Sequence, residues 1–104
     1  MLRLAYNERV KFHPVGLRPE MLLAVICALD LARDRGVDLW LTAGASGRHG
    51  RKSRHYSGLA VDLDILDDRI RAEVAADLAR ALSPHYDVVN EATHIHIEFD
   101  PEHL

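Results

Sequence analysis

The sequence predicts an α+β domain: a small, mainly antiparallel sheet with two helices on its apolar face and a polar, histidine-bearing face opposite. Three observations carry this. Two segments repeat apolar residues at helical spacing, from Pro19 to about Arg35 and again after Asp67 or Asp68. Four short segments (37–42, 59–65, 86–90 and 93–99) have strand character, and two of them alternate strictly. In those two, Val61, Leu63 and Ile65 face away from Ala60, Asp62 and Asp64, and Ile95, Ile97 and Phe99 face away from His94, His96 and Glu98.

Residues 1–17 form a short mixed stretch with an edge-strand candidate at 10–12 and a turn at His13-Pro14 and Gly16. Pro19 suits a first helical position, where a missing N–H costs nothing. The helix it opens sets Leu22, Val25, Ile26, Leu29 and Ala32 on one face. Arg33 and Arg35 complement its C-terminal end, and Gly36 stops it. After the strand bearing Trp40 comes a loop, 43–54, rich in Gly, Ser and basic residues, which we read as facing substrate. Asp67 or Asp68 caps the second helix, where Ile70, Val74, Leu78 and Leu82 recur every fourth residue and Ser83-Pro84 ends the run. The last two strands join through a tight connection near Glu91 and Ala92, and Asp100-Pro101 closes the second of them.

The 104 residues suit one domain with a modest core, and neither repeats nor a linker divide residues 1–104. A formal charge of -3 argues against nucleic acid as the main partner, since phosphate binding calls for a basic surface. Cys27 sits in an apolar run and reads as a small buried hydrophobe. The longest apolar run, 21–29, is too short to span a bilayer. Arg3, Asn7, Glu8 and Arg9 leave no signal-peptide core, so the expectation is a chain made in the cytoplasm. Oligomeric state is not legible.

The chemistry gathers in two places. Residues 53–62 place His55 and Asp62 seven positions apart around Gly58, and residues 91–96 hold Glu91, His94 and His96. A histidine, a carboxylate and a second histidine are a usual ligand set for catalytic zinc, which leaves one position open for water. A nearby glutamate suits the role of general base. Because His94 and His96 share a face, spacing leaves them rivals for one metal position.

The pattern Ser53-x-His55-x-x-Gly58-x-Ala60-x-Asp62, with His94-x-His96 downstream, resembles the zinc peptidases of the D-Ala-D-Ala carboxypeptidase group. That group includes D-Ala-D-Ala dipeptidases, phage L-alanyl-D-glutamate endopeptidases and the hedgehog zinc domain. The likeness spans roughly residues 39–99. It implies Zn2+ held by His55, Asp62 and His96, with Glu91 as general base and His94 stabilising charge on the substrate. It also implies peptidoglycan stem peptides as substrate, in a minimal phage-type or bacterial enzyme acting at the cell wall. Relatives with Glu-x-x-His would instead make His94 the ligand. Where the family has Ser-Gly-Tyr-Arg this chain has Ala43-Gly44-Ala45-Ser46-Gly47-Arg48, so Arg48 and then Arg54 are the candidates for gripping a substrate carboxylate, with Ser53 beside them. The alternative from a different class is a non-catalytic, zinc-stabilised binding module of the same fold.

Overall fold

Residues 2–4, 17–43 and 58–100 are described in the computed structural model. They form β1 (Leu2–Leu4), α1 (Pro19–Asp34), β2 (Leu39–Ala43), β3 (Ala60–Asp64), α2 (Asp68–Ala81), β4 (Tyr86–Asn90) and β5 (Ile95–Phe99). The strands make one open sheet in the order β1-β2-β3-β5-β4. Every pairing is antiparallel except β1 with β2, which the crossover containing α1 makes parallel. The result is a compact α+β domain with a mixed, mostly antiparallel sheet. The 10–12 strand candidate and the 44–54 part of the basic loop lie outside the described residues. β1 itself was not anticipated; three residues are too few to show a period.

Alternation decides the core. Leu39, Leu41, Val61, Leu63, Ile95 and Ile97 are buried together with residues of both helices. Val74 and Leu78 of α2 join them as expected, while Ile70 and Leu82 pack only in part. Asp67 caps α2, its carboxylate accepting from the Ile70 amide at 3.0 Å. Gly36 takes φ 68° just past α1, the left-handed conformation that suits glycine at a helix stop.

Two expectations need correction. The buried stripe of α1 is Met21, Ala24, Val25, Ala28 and Ala32, whereas Leu22 and Ile26 are 42% and 63% exposed. Alanines at every fourth position form a flat strip that lets the helix backbone come close to the elements it packs on, α2 and the sheet, and that contact outweighs the larger side chains next to it. The last strand starts at Ile95 and not at residue 93, which leaves His94 in the turn. Cys27 is half-buried, and burial with Asp30 nearby raises its thiol pKa.

The ends are tied across the sheet. The Arg18 amide donates to the Gly58 carbonyl at 3.0 Å, and the Tyr86 hydroxyl donates to the Glu20 carbonyl at 2.7 Å. Among the described residues no helix is long and apolar enough to cross a membrane.

The alanine strip gives a direct test. Ala28→Leu should destabilise the domain by about 1–3 kcal/mol through overpacking, while Ile26→Ser should change stability by less than about 0.5 kcal/mol. Urea denaturation of both variants checks this; the reverse order would restore the larger residues to the core.

Candidate metal and catalytic site

β3 and β5 are neighbours in the middle of the sheet, and their register sets Asp62 directly opposite His96. On the face away from the helices, His96 Nδ1 lies 2.8 Å from Asp62 Oδ1. The other ring nitrogen, Nε2, lies 2.9 Å from Glu98 Oε1. A carboxylate oxygen at each nitrogen means that both N–H groups donate only when the ring is protonated. The His96 pKa is accordingly raised from its ordinary value of 6.5 to about 9, chiefly by the bond to Asp62 and further by Glu98, with burial opposing.

His94 approaches the same carboxylate less closely, with Nε2 3.8 Å from Asp62 Oδ1. That separation is too long for a hydrogen bond. Its Nδ1 pairs with the Thr93 hydroxyl at 3.1 Å, which leaves Nε2 turned toward Asp62. Glu91 sits exposed in the same turn, which its amide closes by donating to the His94 carbonyl at 2.8 Å.

The local sequence explains why these groups hold still. Gly58 has φ 74°, so the chain turns into β3 through a conformation that other residues adopt only with strain. Ala60, two residues before Asp62, is fully buried and pairs with Glu98. Beside Asp62 the β2–β3 register shifts between Leu41 and Ala43, and the Thr42 hydroxyl donates to the Asp62 carbonyl at 3.2 Å.

From behind, Arg71 of α2 holds the 91–94 turn. Its guanidinium is the one buried charged group among the described residues. It donates to the Ala92 carbonyl at 2.9 Å, the Ile65 carbonyl at 3.2 Å and Asn90 Oδ1 at 3.4 Å. It also pairs with Asp68 at 2.9 Å and with Asp64 at 3.3 Å. One side chain thus joins the end of β3, the first turn of α2 and the turn that carries Glu91 and His94.

Of the residues singled out in the sequence, Asp62, His94 and His96 come together and Glu91 stands in the adjoining turn. His55, Arg48, Ser53 and Arg54 lie outside the described residues. Among the described residues no three His, Cys, Asp or Glu side chains are arranged to hold a metal ion. Asp62 and His96 nevertheless suit zinc as a pair. Two ligands about 2.1 Å from a tetrahedral zinc stand roughly 3.4 Å apart, so the hydrogen-bonded pair, at 2.8 Å, would open by about 0.6 Å to admit the ion. A third ligand would have to come from the remaining chain. A separate cleft of about 250 Å³, lined by Val37, Asp38, Trp40, Ile65, Leu66 and Asp67, contains none of these residues.

No protein-family model matches the chain, and no match emerges among curated proteins.

Two residues with evident roles were given none on sequence grounds. Glu98 was visible as the next outward position after His96, and alternation alone assigned it no contact. Arg71 falls on the buried stripe of α2, in line with Val74, Ala75 and Leu78, and that position was its only signal.

The raised His96 pKa fixes a sign for pH dependence. In metal-free protein this group contributes stability that is fully present below about pH 6.5 and lost as pH rises through about 9. Chelator-treated protein should therefore resist urea better near pH 6 than near pH 10, and His96→Gln should shrink that difference. An equal difference in the variant would assign the effect to other groups.

Proposed function

We propose that the domain is a zinc peptidase of the D-Ala-D-Ala carboxypeptidase and hedgehog type that hydrolyses peptide bonds in peptidoglycan stem peptides. The observation that carries this reading is the contact of Asp62 with His96 at the centre of the sheet, on the face away from the helices. His55, Asp62 and His96 would hold the metal. The shorter approach to Asp62 favours His96 over His94 as the ligand. When bound, zinc supplies a Lewis acid for the scissile carbonyl and lowers the pKa of water toward neutrality.

The protein groups do the rest. Glu91, exposed in the turn, takes the proton of the attacking water and returns it to the leaving amine. His94 has its Nδ1 engaged by Thr93, so Nε2 is the nitrogen left to face substrate, and with the Thr93 hydroxyl donating to Nδ1 it carries the proton that meets the oxygen on which charge develops. Arg71 fixes the turn from which both residues work. Arg48 and Arg54, with Ser53, bind a substrate carboxylate; a guanidinium does this through two parallel hydrogen bonds.

The test pairs metal analysis with a peptidoglycan digest. Purified protein should carry one zinc per chain and release stem-peptide fragments. His55→Ala or Asp62→Ala should empty the site and lower the melting temperature, because a ligand that binds only the folded state stabilises it. Glu91→Gln should keep zinc and lose turnover by about a hundredfold or more. Zinc retained at full occupancy in either ligand variant would overturn the assignment. Full zinc with no cleavage by the parent would leave a zinc-stabilised binding module.

Substrate binding has its own check. Arg48→Lys should lower kcat/KM by about 1–3 kcal/mol at constant zinc content, because lysine keeps the charge but lacks the planar fork. Unaltered cleavage by lysine variants at both 48 and 54 would reduce the loop to a solvated basic segment.

A further inference from the structure

The outward face of β5 carries a second carboxylate against His96 that the proposed chemistry does not use. Glu98 follows His96 by two residues, so the strand period returns it to the same face. Its Oε1 lies 2.9 Å from His96 Nε2, and its side chain is mostly shielded from solvent, at 29% exposure. Across the ladder Glu98 pairs with Ala60 on one side and Asp87 on the other. Ala60 is small and fully buried, so nothing bulky on β3 competes for the space into which the carboxylate folds back. Asp87, in contrast, is exposed.

A neutral imidazole carries one proton, and the hydrogen bond at one nitrogen decides which nitrogen keeps it. With a cation on the Asp62 side, a carboxylate beside Nε2 accepts from Nε2–H and the Nδ1 lone pair is the one presented to the ion. Nδ1 is the nitrogen that faces Asp62. Carboxylates placed in this way behind metal-binding histidines fix the ring and raise its basicity.

We infer that Glu98 is a positioning residue for the metal site, holding His96 as the Nε2–H tautomer with Nδ1 directed at the position it shares with Asp62. This rests on the zinc reading above and extends it to a residue that neither binds the metal nor touches substrate. Asp87 is the internal control: it is the cross-strand partner of Glu98 and bears the same charge, but it makes no hydrogen bond to His96.

Zinc dissociation constants from chelator competition test the inference, on the parent and on Glu98→Ala, Glu98→Gln and Asp87→Asn. Glu98→Ala should weaken zinc binding by about tenfold to a hundredfold. Glu98→Gln retains an acceptor oxygen without the charge and should recover part of that loss. Asp87→Asn should stay within about twofold of the parent, which a site governed by overall charge would not permit. Ring ¹⁵N shifts of His96 in the zinc-loaded protein should report Nε2–H in the parent and lose that signature in Glu98→Ala. Parental zinc affinity in Glu98→Ala would overturn the inference and leave the zinc reading intact. So would an equal loss in Asp87→Asn. If Glu98→Ala fails to fold, the glutamine variant decides, and parental affinity together with an altered tautomer in it overturns the inference. A parent that binds no zinc overturns both.

Discussion

The pairing register of β3 and β5 is the constraint on which the site depends. Asp62 meets His96 because those two residues are cross-strand partners, and the same register places Val61 against Ile97 and Leu63 against Ile95 in the core. Side chains alternate with a period of two, so a slip of one residue in either strand would drive a carboxylate or an imidazole under the helices and expose the isoleucines. The burial energy of the apolar face therefore enforces the geometry of the polar one. Central placement adds to this, since each of the two strands is bonded on both sides. Neither residue can drift without breaking a ladder.

Where the ladder ends, other devices take over. The 91–94 turn lies past the last β4–β5 pair, Asn90 with Ile95, and one backbone bond, from the Glu91 amide to the His94 carbonyl, closes it. Arg71 adds to that control. Its guanidinium satisfies carbonyls on Ile65 and Ala92 that apolar packing would leave without donors. A buried charge is costly to desolvate, and here Asp64 and Asp68 offset it while four segments are pinned to one point. A hydrophobic residue at that position would fill the space without gripping the turn.

Much of the sheet was legible because its rule is simple. In β3 and β5 the alternation alone gave the inward residues, and the same count put Asp62 and His96 outward. The cap at Asp67 and the stop at Gly36 were equally readable, each being a local preference of one residue. The stripe of α1 was not. Choosing Leu22 and Ile26 assumed that the largest apolar residues are buried, whereas Ala24, Ala28 and Ala32 are the buried ones, because small side chains permit a closer approach between packed elements. β1 was missed for want of length, and its place beside β2 depends on a nonlocal pairing. In the site, the approach of Asp62 to His96 follows from parity and pairing together, and only parity is written in the sequence. Glu98 shared that parity, yet its contact with Nε2 depends on which way the His96 ring faces.

The charges on this face leave a negative excess between β3 and β5. Asp62 and Glu98 flank one imidazole, so the three groups sum to −2 when the ring is neutral and to −1 when it is protonated. Their carboxylates lie on opposite sides of the ring, which separates the like charges while each stays within 3 Å of a ring nitrogen. Partial burial strengthens these interactions, because the effective dielectric there is lower than that of water. A proton on His96 relieves only part of the excess, which is one reason the ring holds its proton so far above the ordinary range. On the proposed reading, a divalent ion on the Asp62 side would balance both carboxylates and free Nδ1 of its proton, while Glu98 kept the proton on Nε2. On that reading the carboxylate proposed to hold the ring would also contribute to the field that draws the ion, and its two effects would act in the same direction.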